Sequence, residues 1–387
     1  MTPESGSVID TSSPIVGIAP EPEGEALKPE VALCLSGGGY RAMLFHVGAL
    51  WRLNEAGLLR QLGRLSSVSG GSITAGVLGL HWRDLGFDSA GVAKRFHDEV
   101  VICLRAFAGR TVDTKAIVGG MLLPGSIGEK VASAYDKYLF HGATLQDLPD
   151  SPLFVITATN VQSGALWRFS KPYMADYRVG RVDHPRVPLA LAVAASSAFP
   201  PVLSPVDLEL NPGEVQPMPG VDLSVEPYTT DILLSDGGVY DNLGLETAWK
   251  NYETVFVSDA GGKLRPDAEP ERDWAGHSLR VLELIDNQVR SLRKRQVIDS
   301  YKRDERKGAY WGIRTNIADY SLANPLPCPF LRTTELANVP TRLKRLELDL
   351  QERLINWGYA VCDAALRKHV NSSLSAPAGF PYPATGV

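Results

Sequence analysis

The 387-residue sequence has only four cysteines, Cys34, Cys103, Cys328 and Cys362, and they are scattered. No Cys-x-x-Cys or Cys/His spacing points to zinc, and none points to a disulfide framework. A reducing compartment is the expectation. Long hydrophobic runs are missing too. The longest weakly charged stretch, residues 116–127, is broken by Gly119, Gly120, Pro124 and Gly125 and is too short to span a bilayer. The first residues hold no basic region followed by an apolar run, so no secretory leader is expected. Neither sign of charge dominates: the formal net charge is -5, and a nucleic-acid polymer is not an expected partner. There is no P-loop Gly-Lys-Ser/Thr. Ala42 stands where the last glycine of a Gly-x-Gly-x-x-Gly would fall. No cofactor or metal is expected.

What is present is a globular balance, 44% hydrophobic and 21% charged, enough for a large core. Residues 1–29 are rich in Pro, Glu, Ser and Gly and read as a tail. Residues 31–35 form an apolar run of strand length, followed by Ser36-Gly37-Gly38-Gly39-Tyr40-Arg41 and a helix over 41–55. A second strand, 64–68, leads into Ser69 and a helix over 72–82, which completes a βαβ unit. Residues 90–148 read as helix and loop, with Phe96, Val100, Val101, Leu104 and Phe107 at helical spacing, fit for core or for a cap over substrate. Strands are predicted over 153–160, with a hairpin partner at 166–169, and over 232–234, 254–258 and 310–316. Helices are predicted over 188–198, 277–307 and 341–368. The 277–307 helix carries a basic run from Arg290 to Lys307, readable as a solvated face or as a membrane-docking one. Residues 371–387 read as a tail. Strands alternating with helices predict an α/β fold, a three-layer sandwich with a mainly parallel sheet. Residues 30–370 are expected to form one catalytic domain that includes the C-terminal helices.

Three loops carry chemistry, and each follows a predicted strand, so all three can meet at one sheet edge. The first is Ser69 in Ser67-Val68-Ser69-Gly70-Gly71, at a sharp strand-to-helix turn. Such a turn is strained, and Gly70 and Gly71 leave room for the flanking elements. The second is Asp236 in Asp236-Gly237-Gly238. A serine hydroxyl needs a base, and a partly dehydrated carboxylate becomes a stronger one. Gly237 and Gly238 let that carboxylate approach. The third is Gly37-Gly38-Gly39, whose N–H groups, with that of Gly70, can converge on an oxyanion. Arg41 either assists an anion or anchors the loop; the sequence leaves both open. Each motif alone is equally a plain turn.

Together and in this order, the three motifs resemble the patatin-like phospholipases over residues 31–244. The stretch Ala192-Val193-Ala194-Ala195-Ser196-Ser197-Ala198-Phe199-Pro200-Pro201 is similar to the helix that precedes that family's substrate-side loop. Two residues depart from the family pattern: Ser67 replaces the first elbow glycine, and Ala42 a glycine after the basic residue. The resemblance implies a Ser69–Asp236 dyad without histidine and a phospholipid or related acyl ester as substrate. It also implies a cytoplasmic protein that meets the membrane from its surface, and it says nothing of a regulator. Two rivals are weighed. A Ser-Asp-His triad needs a late histidine, and His277 and His369 stand at helix ends, while the other five precede Asp236. A catalytically silent binding module would not need to keep every reactive residue.

Overall fold

The computed structural model describes residues 27–112, 127–201 and 203–387. The tail over 1–26 and nearly all of the 116–127 stretch lie outside the described residues. Strand β1, Lys28–Leu35, alternates its side chains between two cores. Leu33 and Leu35 face one core; Ala32 and Cys34 face the other. Helices cover both faces. On the first lie α1, Gly39–Glu55, α2, Gly70–Leu80, and α10, Leu348–His369. On the second lie α7, Glu246–Trp249, and part of α8, Trp274–Lys302. This is the three-layer α/β sandwich expected.

The sheet has a parallel half, ordered β10 (Lys307–Gly312), β9 (Tyr252–Asp259), β1, β2 (Leu62–Ser67), β3 (Leu153–Asn160). Beyond β3 it turns antiparallel through β4 (Ala165–Phe169), β5 (Tyr173–Asp176) and β6 (Gly180–Asp183). Strand β2 stops at Ser67, opposite Ile156 of β3. Strand β8, Asp231–Asp236, then takes up the edge that β2 leaves free, pairing antiparallel with β3 until Asp236 lies opposite Ala158. Its outer edge pairs with β7, Val206–Glu209. Two strand ends thus point at each other along one edge of β3. Asp236 thus follows a strand that runs antiparallel to β3, within a sheet whose core is parallel. An apolar triplet such as Ile232-Leu233-Leu234 reads alike in either direction.

Helices α3, Ile102–Ala108, and α4, Ile127–Tyr135, supply Leu104, Phe107, Val131 and Tyr135 to the first core. Helix α5, Leu189–Ser196, is almost wholly buried. The α1–α10 interface is tight. A Cβ at Gly48 would collide with the Ile355 carbonyl, and one at Gly358 with the Phe45 carbonyl. Burying Leu354, Trp357 and Val361 of α10 stabilises the fold by about 1.5–3 kcal/mol for each side chain.

Two predicted helices differ. The 341–368 helix begins only at Leu348, as α10, and a separate helix not predicted, α9, spans Phe330–Ala337 before it. Between them the chain is extended, because Arg342 O accepts from Tyr40 N, Leu343 O from Val112 N, and Leu346 N donates to Ala108 O. Those tertiary bonds replace helical ones. The 277–307 helix starts early, capped by Asp273, and ends at Lys302. Arg306 and Lys307 are therefore off the helix. Residues 371–387 lie against the body: Asn356 Nδ2 donates to Tyr382 O (2.8 Å) and Gly386 O (2.7 Å), and the Arg105 guanidinium sits 4.5 Å over the Tyr382 ring.

Candidate active site

Ser69 caps α2 with φ 51° and ψ −119°, a positive φ that is uncommon for a side-chain-bearing residue. Its N–H donates to Ser196 Oγ (3.0 Å), and its carbonyl accepts from Ser72 N (2.8 Å). A hydroxyl ladder runs beneath it: Ser72 Oγ lies 2.9 Å from Ser196 Oγ and donates to Ser67 Oγ (3.0 Å). Ser67, the departure from glycine, is a rung of this ladder. The small neighbours do what the turn requires. A Cβ on Gly70 would collide with Gly39 O, and one on Gly71 with Leu35 O.

Asp236 is held from its backbone. Its N–H donates to Ala198 O (2.9 Å), and its carbonyl accepts from Thr159 Oγ1 (2.8 Å). The carboxyl accepts from Gly238 N (2.7 Å), and it lines the same cleft as Ser69. A Cβ on Gly237 would strike Thr157 O, so only glycine lets the chain turn here. Burial pushes the Asp236 pKa up to about 7, against the lowering by Gly238 N–H and the Ser69 hydroxyl; Asp286 raises it slightly further.

The glycine loop lies alongside. Gly38 has φ 142° and Gly39 φ 59°. Neither they nor Gly70 donate their N–H to a protein acceptor among the described residues. Gly37 departs from expectation, since its N–H is taken by Asn242 O and Asn242 Oδ1, both at 3.1 Å. The open question about Arg41 has a geometric answer. Its guanidinium donates to Ala260 O (3.1 Å), to Thr341 Oγ1 (3.0 Å) and to Val339 O, so it anchors loops.

No histidine lines the cleft among the described residues. His277 is exposed at the start of α8, and His369 lies at the end of α10 beside Tyr320. The fully buried His46 braces the glycine loop: Nε2–H donates to Ser36 O (2.9 Å), and Nδ1 accepts from Ser258 Oγ (2.8 Å). Burial pushes its pKa down to about 4, so it is neutral. Sequence reasoning missed His46, Asn242 and Ser196. Only Ser196 carried a signal, in the Ala-Ser-Ser-Ala stretch. Among the described residues no group of three or more His, Cys, Asp or Glu side chains could hold a metal ion.

The arrangement brings a serine with positive φ, a buried carboxyl of raised pKa and the N–H groups of Gly38 and Gly39, unbonded among the described residues, to one cleft. A family profile described as patatin-like phospholipase matches residues 33–249. Human GIVD cytosolic phospholipase A2, solved with methyl gamma-linolenyl fluorophosphonate, superposes with a TM-score of 0.51 at 14% identity, over 87% of this chain and 57% of that one. The likeness concerns the fold, and this chain spans less than two thirds of that structure's length. VipD from Legionella pneumophila gives a TM-score of 0.36 at 15% identity, over 89% of this chain and 67% of that one. A comparison with curated proteins finds no match.

Proposed function

Because this chain belongs to the patatin-like phospholipase family, we propose that it cleaves lipid acyl esters through a Ser69–Asp236 dyad. The observation that supports this reading is the meeting of two strand ends along β3, beside a cleft that Ser69 and Asp236 both line. Asp236 takes the Ser69 proton as Oγ attacks the acyl carbonyl. The oxyanion forms where Gly38, Gly39 and Gly70 present free N–H groups, at the N-terminus of α2. The protonated Asp236 then donates to the departing alcohol. Water repeats the cycle in the other direction and releases the fatty acid.

A base with a pKa of about 7 in the free enzyme makes kcat/KM for a soluble ester rise with pH, half-maximal near pH 7, then level off. A profile flat between pH 5 and 9 would exclude Asp236 as the base.

No helix among the described residues is long and apolar enough to cross a membrane. The basic run is also less available than its sequence suggests. Arg290 donates to Gly262 O, Arg293 pairs with Glu246 (3.0 Å), and Lys294 sits 4.7 Å over the Tyr310 ring. The exposed apolar side chains of α8 serve better. Trp274, Val281, Ile285 and Leu292 are exposed and, at 100° per residue, fall within about 40° of one line. The opposite face, with Glu283, Asp286 and Arg290, lines the cleft. In this reading that stripe rests on the lipid surface. Ile285→Ser should weaken vesicle sedimentation about 10-fold, and 0.5 M salt should change it little, since apolar contact is not screened. Binding abolished by salt and indifferent to Ile285→Ser would return the role to the basic residues.

A further inference from the structure

The cleft has a volume of about 740 Å³ and an uneven wall. Seven lysines and arginines line it against three carboxylic acids, in a chain whose net charge is -5. Neighbours connect the nucleophile to this cationic side. A Cβ at Gly37 would lie 3.2 Å from Ser69 Cβ, one at Gly38 2.9 Å from Arg41 Nη2, one at Gly262 3.5 Å from the same atom, and one at Gly261 2.3 Å from Arg290 Nη1.

Among the described residues, three arginines of this wall have no carboxylate within 4 Å. Arg178, Arg293 and Arg353 each have a carboxylate partner within 4 Å, and so does Arg280, whose Nη1 is 3.6 Å from Glu283. Arg265, Arg290 and Arg314 form no ion pair among the described residues. Arg265 donates to Asn338 O (2.9 Å), Arg290 to Gly262 O, and Arg314 to Ala337 O and Asn338 Oδ1 (both 3.1 Å). Arg314 Nε is buried with no partner. Each guanidinium has five N–H donors, so loop anchoring leaves most of them unused. Nearby carboxyls are engaged elsewhere. Asp259 accepts from Tyr310 (2.6 Å) and Gly261 N (2.8 Å), and Asp286 accepts from Asn242 (3.3 Å). Burial, then the charges of Arg290 and Arg265, lower the Arg314 pKa, against a smaller raising by Asp259. Like charges gathered at a partly dehydrated wall, outnumbering the nearby carboxylates and with none of those within 4 Å of these three among the described residues, favour an anion between them.

We propose that Arg265, Arg290 and Arg314 form the subsite for the phosphate of the lipid head group, selecting a phosphomonoester dianion over a phosphate balanced by choline. This rests on the acyl-hydrolase reading and names its substrate class. Guanidinium groups meet phosphate oxygens in bidentate fashion, and a dianion matches a wall with several unpaired cations. A quaternary ammonium brought to the same wall is repelled.

The test uses the full chain and two short-chain lipids, dihexanoyl phosphatidate and dihexanoyl phosphatidylcholine. The wild type should show a kcat/KM ratio of at least about 10 in favour of the phosphatidate, the scale of one charge-assisted contact. Arg265→Gln and Arg314→Gln should each cut that ratio to about 3 or less, and Arg265→Lys should keep most of it, because charge is retained. A ratio near one in the wild type, or a ratio untouched by both glutamine variants, overturns the assignment. So does inorganic phosphate inhibiting with a Ki at or below the phosphatidate KM, which would make the wall a site for free phosphate. If the wild type cleaves no ester at all, the hydrolase reading fails on its own. Calorimetry on Ser69→Ala then decides the wall: binding of phosphatidate at least about 10-fold tighter than phosphatidylcholine supports it, and equal binding overturns it.

Discussion

Ser69→Ala should lower ester hydrolysis by at least about 10³-fold, since removing a covalent nucleophile leaves only binding and oxyanion stabilisation. The fold should be unchanged. Alanine keeps the Cβ, the positive φ is borne by backbone bonds to Ser196 and Ser72, and the side chain is buried at 8% exposure. A fluorophosphonate reagent should label the wild type and fail on the variant. Ser197 also lines the cleft, but its hydroxyl turns back to Val193 O (2.8 Å), so Ser197→Ala should still be labelled. Labelling that survives Ser69→Ala and disappears with Ser197→Ala would move the nucleophile one motif along.

Asp236→Asn separates a base from a turn residue. The Asx bond to Gly238 N survives, because the asparagine oxygen accepts as well as a carboxylate does. The proton acceptor does not survive, so activity should fall by at least about 10². Stability should move the other way. The pKa of Asp236 is raised on folding from 3.8 to about 7, so the folded state holds the proton more tightly. That contribution is fully present below pH 4 and is lost as pH rises through about 7. Asparagine cannot ionise and loses nothing over that interval. The variant should match the wild type near pH 4 and exceed its melting temperature by about 2 °C or more at pH 8. Near-normal activity in the folded variant would sink the dyad; equal melting temperatures at both pH values would deny that the carboxyl is buried as described.

The three motifs that line the cleft were legible because each is local: a serine before two glycines, a triple glycine before a helix, an Asp-Gly-Gly after an apolar triplet. The five parallel strands were legible as apolar runs between helices, and Leu33 and Leu35 against Ala32 and Cys34 confirm burial on both faces. Strand direction was not, since no residue in β8 states that it will run against β3. The extended stretch between α9 and α10 was hidden for a related reason. Leu343, Leu346 and Leu350 have helical spacing, and only the distant Tyr40, Val112 and Ala108 draw the first two out of a helix. Ser196 shows in the sequence only within the Ala-Ser-Ser-Ala stretch, and nothing there says that it lies beneath Ser69, 127 residues away.

The brace between Arg342 and the glycine loop bears on how the protein is made. Tyr40 N–H needs Arg342 O, Arg41 needs Val339 and Thr341, and α1 needs the groove at Gly358. During translation Ser69 and Asp236 both exist long before these partners do. At ~5–20 residues per second, the interval from Asp236 to Arg342 is roughly 5–20 s. Throughout it the nascent chain carries Ser69 and Asp236 beside an unbraced glycine loop, and the cleft takes its final shape only after residues 339–358 are made.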